Sequence, residues 1–123
     1  NLIVTTTPSR KALVMAAHIH PGTHITAMGA DADGKQEIDP LGFEKADIIV
    51  ADSKDQCIDH GDLGYAVRDG IIDPDKVIEL GDVIRNKKFQ RKNDQQITIA
   101  DLTGVAIQDI QITKYVYLML TKK

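Results

Sequence analysis

The sequence predicts an α/β fold built on a parallel sheet, and three observations carry that prediction. Four short apolar, β-rich runs recur along the 123 residues. Stretches with helical periodicity or helix-start signals separate them, and each run ends in small polar residues suited to loops. Alternation of this kind calls for right-handed crossovers between parallel strands. Open parallel sheets bind ligands in the crevice at the carboxyl ends of their strands, so those polar tips are where function is sought.

The first run, Leu2-Ile3-Val4-Thr5-Thr6, ends at Thr7-Pro8-Ser9 and reads as a strand over 2–6 buried on both faces. Pro21-Gly22 marks a turn, and His24-Ile25-Thr26-Ala27-Met28 forms the second run, stopping at Gly29. Asp39-Pro40 opens a short helix through about Lys45. The third run, 46–51, ends at Asp52-Ser53, with Ser53 placed as a helix N-cap, and Ile58, Leu63, Ala66 and Val67 then suggest two short helices. Asp73-Pro74 repeats the cap-then-proline signal, and Val77, Ile78, Leu80, Val83 and Ile84 predict a helix near 74–85. A polar loop follows over 85–96. Ile97-Thr98-Ile99-Ala100 is the fourth run, closed by Asp101-Leu102-Thr103-Gly104. From Val105 to about Thr121 a long amphipathic helix is expected, with Ala106, Ile110, Tyr117 and Leu120 on one stripe.

Composition narrows the classes. Hydrophobic residues at 42% and charged residues at 27% are ordinary for a soluble domain, and no segment approaches the roughly 18 apolar residues of a membrane span. A formal net charge of −3 with scattered Lys and Arg gives no footprint for nucleic acid. Cys57 stands alone, which suits a reducing cytoplasm. The chain opens at Asn1 and enters an apolar run at once, so it is expected to be a piece of something longer.

Several groupings invite chemistry. Gly29-Ala30-Asp31-Ala32-Asp33-Gly34-Lys35-Gln36-Glu37 is the densest, but a calcium loop needs glycine at the sixth position from Asp31, where Gln36 stands. An aspartate just past a buried strand can serve as acid or base if its surroundings tune it, although Asp and Gly are also common turn residues, the stronger reading on spacing alone. His18, His20 and His24 have a superficial metal spacing, but Pro21-Gly22 interrupts them and no Cys or carboxylate completes a tetrahedral set. Cys57 with His60 lacks an orienting group, and a packed thiol is the better reading. The Thr5-Thr6-Thr7 hydroxyls fit either a nucleotide contact or plain strand residues. Thr103 fits an N-cap of the final helix.

Taken in order, Thr5-Thr6-Thr7-Pro8-Ser9-Arg10, Pro21 through Asp31, Gly34-Lys35-Gln36-Glu37-Ile38-Asp39-Pro40, Glu79-Leu80-Gly81-Asp82-Val83-Ile84 and Ile97 through Asp109 resemble the ornithine cyclodeaminase and mu-crystallin family over nearly the whole chain. That resemblance implies the distal part of a Rossmann-type parallel sheet over 1–104, and over 105–123 a helix returning toward a missing N-terminal substrate domain. It implies NAD or NADP as cofactor, an amino or imino acid as small-molecule substrate, and a homodimeric parent. The activities implied are cyclodeamination of ornithine, amino acid dehydrogenation or imine reduction. The alternatives are a ligand-binding module like mu-crystallin or an inactive truncated product.

Residue by residue, the resemblance makes Asp31 the catalytic acid/base. It makes Ala27, Met28, Gly29 and Ala30 the backbone lining the nicotinamide, and Lys35 a side chain reaching the cofactor. Thr5 and Thr6 fall where the family contacts the nucleotide, Leu102 meets the cofactor and Thr103 the substrate. No metal is implied. The sequence holds no G-x-G-x-x-G loop to seat a pyrophosphate on a helix N-terminus, and no acidic residue following such a loop to hold a ribose. The chain by itself is therefore expected to bind nucleotide weakly and to turn over little.

Overall fold

The computed structural model describes residues 1–121 and contains seven strands and five α-helices among them. Strands β1 (Leu2–Thr5), β3 (His24–Ala27), β5 (Ile48–Ala51), β6 (Val77–Glu79) and β7 (Thr98–Asp101) form one sheet in the order β1-β3-β7-β5-β6, parallel throughout. The four expected strands are all present and parallel, their ends shifted by a residue or two. Two more strands, β2 (Arg10–Val14) and β4 (Gln36–Ile38), pair in parallel as a separate ladder.

Register explains the core. Ile3, Ile25, Ile99, Ile49 and Val77 stand opposite one another across the sheet, a β-branched row on one face. That face is covered by α1 (Pro40–Glu44), α2 (Lys54–His60) and α3 (Asp62–Arg68), which contribute Phe43, Cys57, Leu63 and Ala66 to the same buried cluster. Each fully buried side chain of this size stabilises the fold by about 1.5–3 kcal/mol. The break between α2 and α3 falls at Gly61, where a Cβ would meet Asp101 Oδ2 at 2.6 Å and the Cys57 carbonyl at 2.8 Å. Only glycine lets the chain turn that close to the sheet.

Three expectations need correction, and that for Ser53 holds in position without the capping bond. The predicted helix over 74–85 is a 3-10 turn (Pro74–Lys76), then β6, then α4 (Leu80–Arg85). Asp73 does cap, accepting the Asp75 N–H, but Val77 and Ile78 go to the sheet beside Ile49 and Val50. So short an apolar run has the same pattern whether it is strand or helix. Ser53 occupies the N-cap of α2 without a side-chain cap; the first helical amide, that of Lys54, donates instead to Glu79. The first strand is not buried on both faces: β1 is the outer strand of the sheet, and Leu2 and Val4 are 69% and 55% exposed.

The final helix, α5 (Ala106–Thr121), is not amphipathic. Ile107, Ile110, Ile112, Tyr115, Val116, Tyr117, Leu118, Met119 and Leu120 are all exposed, and at 100° per residue they surround the axis. A helix apolar on every side is stable when it is enclosed. No helix among the described residues is long and apolar enough to cross a membrane. The last two positions of the 105–123 segment lie outside the described residues.

So large an exposed apolar surface predicts self-association. Ile110→Glu with Leu118→Glu should reduce hydrophobic-dye binding and shift sedimentation of the chain toward the monomer. Unchanged dye binding and sedimentation would show that α5 is already covered in solution.

Candidate functional site

The carboxyl ends of the parallel strands are tied into one continuous rim by backbone hydrogen bonds. Met28 N–H donates to the Thr5 carbonyl (2.9 Å), joining the tips of β1 and β3; Leu102 N–H donates to the Ala27 carbonyl (2.8 Å), joining β3 and β7; Asp52 N–H reaches the Asp101 carbonyl (3.4 Å). In the last register row of the covered face, Thr5, Ala27, Asp101, Ala51 and Glu79 lie side by side. Thr5, Thr6, Ala27 through Asp31, Leu102 and Thr103 therefore share this rim.

Buried carboxylates hold the loops. Glu37, fully buried on β4, accepts the Thr7 N–H at Oε1 (2.5 Å) and the Gly29 N–H at Oε2 (2.7 Å). Burial pushes its carboxyl up, but the donors around it outweigh this and hold it below the usual glutamate value. The Thr5 hydroxyl lies close enough to favour the ionised form, although Thr5 Oγ1 completes no hydrogen bond. Gly29 has no room for a side chain, since a Cβ would sit 2.2 Å from the Thr7 carbonyl oxygen and 2.4 Å from the Glu37 carboxyl carbon. Asp62 opens α3, and its Oδ1 accepts the Glu37 and Ile38 N–H groups (2.7 and 2.9 Å), while Oδ2, buried, has no partner. Burial, reinforced by the Glu37 charge, pushes Asp62 up to about 6.

Asp101 accepts the Leu63 N–H at Oδ2 (2.7 Å). Burial, together with the charges of Asp62 and Asp52, pushes its carboxyl up to about 8. Asp52 closes the next loop: Oδ1 accepts the amides of Ser53 and Thr103 and the Thr103 hydroxyl, and Oδ2 the Gly104 N–H (2.8 Å). Gly104 holds φ +82°, the left-handed turn leading toward α5. Thr103 thus faces inward and is not the cap of α5, which begins beyond it at Ala106. Cys57 is a packed thiol donating to Asp52 and to the Asp101 carbonyl; burial pushes it up to about 12, far from a nucleophilic thiolate.

The remaining candidates divide between the covered and open sides of this rim. Ala27, Gly29 and Ala30 are buried, Thr6 is exposed and Met28 is 49% exposed, while Leu102 is half-buried. Asp31 is half-exposed and pairs with Lys35, Nζ to Oδ1 at 2.5 Å. That hydrogen bond, together with the Lys35 and His60 charges, holds the Asp31 carboxyl below the usual aspartate value despite partial desolvation. Asp31 lines a cleft of about 300 Å³ with Ala32, Asp33, Asp59 and His60, so the end of α2 borders the site. The histidines go separate ways: His18 accepts the Met15 N–H, and His24 contacts Thr98 within β7. No cluster of His, Cys, Asp or Glu able to hold a metal occurs among the described residues.

The sequence marks the stretch that ends at Glu37 but gives Glu37 no role, and it singles out neither Asp62 nor Asp59. An isolated carboxylate in a short strand or at a helix start carries no pattern, and its role exists only once the tips of β1 and β3 are adjacent. Asp52 stands at one of the polar strand tips that the sequence marks for a ligand, with no individual role attached to it.

The sequence profile of the ornithine cyclodeaminase/mu-crystallin family matches residues 1–123. An alanine dehydrogenase of Archaeoglobus fulgidus is 46% identical over 118 residues, 95% of this chain and 36% of that protein. Among solved structures, an archaeal alanine dehydrogenase dimer with bound NAD superposes at TM-score 0.85 with 47% identity, covering 94% of this chain and 36% of that one. The Δ(1)-pyrroline-2-carboxylate reductase of Thermococcus litoralis, in complex with NADH and L-proline, superposes at 0.87 with 28% identity, again covering 94% and 36%. The chain spans about a third of the length of the curated relatives it matches.

Two consequences follow from the buried rim. Gly29→Ala should lower the urea midpoint by the equivalent of about 1–3 kcal/mol from overpacking alone; an unchanged midpoint would show that the loop relaxes freely. Asp101 retains in the fold a proton that the unfolded chain releases above about pH 4, so its contribution to stability declines as pH rises from about 4 to 8. Asp101→Asn keeps an acceptor for the Leu63 amide and removes that dependence. Its thermal stability relative to the unsubstituted chain should grow across this window, and parallel curves would contradict the assignment.

Proposed function

We propose, proceeding from the fact that the chain belongs to the ornithine cyclodeaminase/mu-crystallin family, that it supplies the nicotinamide side of an enzyme acting at the amine or imine carbon of an amino or imino acid. The observation that carries this reading is the shared rim: Thr5-Thr6, Ala27 through Asp31 and Leu102-Thr103 come from three parallel strands and meet at the end where such sheets bind ligands. Relatives solved with NAD or NADH bound favour NAD as the cofactor.

The residues present fit the nicotinamide end. The Thr5 hydroxyl, buried beside the Glu37 carboxylate, completes no hydrogen bond within the chain, and exposed Thr6 and Met28 adjoin it. Met28, Gly29 and Ala30 would line the ring, with Leu102 across from them. When bound, the cofactor supplies a hydride acceptor or donor. The pyrophosphate seat is not provided by these 123 residues, which contain no glycine-rich loop of that pattern.

Asp31 works first as a proton acceptor. Lys35 stabilises its ionised form, so at neutral pH it is ready to take a proton from the substrate nitrogen or from an attacking water, and to return it in the reverse direction. In a substrate complex Lys35 would exchange part of this contact for the cofactor. Thr103, fixed by Asp52 through its amide and hydroxyl, would set one wall of the substrate pocket. The β1 edge and the uncovered sides of α5 would be enclosed by the rest of the enzyme and by a second copy, leaving residues 1–104 as the distal Rossmann part and 105–123 as the returning helix.

The test uses the full gene product carrying this chain, followed by NADH or NADPH oxidation with a small cyclic imine carboxylate or with a 2-keto acid plus ammonium. Turnover with one of these is expected. Asp31→Asn should lower kcat by about 10²–10⁴-fold, the usual share of a positioned acid/base, while NADH affinity stays within a few-fold. Binding of both ligands with no turnover would favour a binding module instead, and an Asp31→Asn protein of normal rate would remove Asp31 from the mechanism.

A further inference from the structure

Among the described residues, the Glu37 carboxylate is the one side chain that bonds the loops leaving both β1 and β3. It does so from beneath, on a strand outside the main sheet. Its oxygens are divided between two amides, Thr7 at 2.5 Å and Gly29 at 2.7 Å. Its own backbone is fixed in turn, because Glu37 N–H and Ile38 N–H both donate to Asp62 Oδ1. Gly29 is pressed so closely against this carboxylate that no Cβ fits between them. Two residues beyond Gly29 stands Asp31, whose side chain is half-exposed and pairs with Lys35.

From this geometry we propose that Glu37 is a positioning residue: by clamping the Thr7 and Gly29 amides, it sets the spacing between the β1 and β3 loops and thereby the placement of Asp31 at the reacting centre. This rests on the functional reading above and extends it by one residue that does not touch the substrate. The physical basis is the direction of the two bonds. Hydrogen bonds to a charged acceptor are stronger than neutral ones, and two of them from one rigid carboxylate fix a distance that two water-bonded loops would not hold. A displacement of an ångström at the reacting centre costs on the order of 10²-fold in rate. A clamp is therefore selected for its geometry as much as for its contribution to stability.

The amide of glutamine cannot replace the clamp, since its NH₂ would face an N–H donor. Aspartate keeps the charge but is too short by one methylene to reach both amides. In the full gene product, Glu37→Gln and Glu37→Asp are compared for kcat, for the KM of NADH and for amide hydrogen exchange at Thr7, Gly29, Ile25 and Ile99. The expected result is a kcat lower by about 10-fold or more per folded molecule, with the KM of NADH within a few-fold. Exchange should quicken at Thr7 and Gly29, with Ile25 and Ile99 still protected.

If Glu37→Gln does not fold, Glu37→Asp carries the same comparison at reduced amplitude. Loss of protection at all four amides, with normal kcat in the molecules that remain folded, would make Glu37 merely structural and overturn the proposal. So would unchanged kcat with Gly29 still protected. An unsubstituted protein with no nicotinamide-dependent turnover would sink the functional reading, and the positioning role with it. Turnover that survives both Glu37 variants but not Asp31→Asn would sink the positioning role alone.

Discussion

The parallel register of five strands is the constraint on which everything else rests. Once Ile3, Ile25, Ile99, Ile49 and Val77 are packed in one row, the next residues of the same face must also align, and these are Thr5, Ala27, Asp101, Ala51 and Glu79. The apolar row drives the sheet together and the polar row is carried to its edge. A slip of one residue in any strand would turn its core side chain outward and remove its tip from the rim, so core packing and site assembly are specified by the same alignment.

The rim is then shaped by acids where an ordinary core would have apolar residues. Glu37, Asp52, Asp62 and Asp101 together accept N–H groups from the loops after β1, β3, β5 and β7 and from the start of α3. Burying so many carboxyls near one another is unfavourable, which is why Asp62 and Asp101 sit well above the normal aspartate range. What the molecule gains is definition: the Thr7, Gly29, Ser53, Thr103 and Gly104 amides each have a fixed carboxylate acceptor in the loops that carry Asp31, Leu102 and Thr103. Lys35, by contrast, pairs with Asp31 at the open side of the site, where contacts are free to rearrange.

Much of this was legible in the residues themselves, and the failures have physical reasons. The strands over residues 2–5, 24–27, 48–51 and 98–101 announce themselves because β-branched runs end at turn chemistry. Asp39-Pro40 announces α1 in the same way. Val77-Ile78-Glu79 misled because its neighbours happen to continue a helical spacing, and only pairing with Ile49 and Val50 decides the matter. Four residues of α5 by themselves suggest a stripe, whereas the apolar side chains between them occupy the other faces. Asp31 could be placed at a strand tip by pattern and given a role by resemblance. Glu37 could not, because its function is a relation between two loops far apart in the chain.

On the proposed function, one rim of the sheet, and not the other, receives the nicotinamide. The most direct measurement is a titration of the isotopically labelled chain with NADH, following every backbone amide by NMR. Shifts are expected to concentrate at Thr6, Met28, Gly29, Asp31 and Leu102, with Thr23, Asp47 and Ile97 at the amino ends of the strands unmoved. Shifts gathered at those amino ends, or scattered along α5 with the carboxyl rim silent, would contradict it.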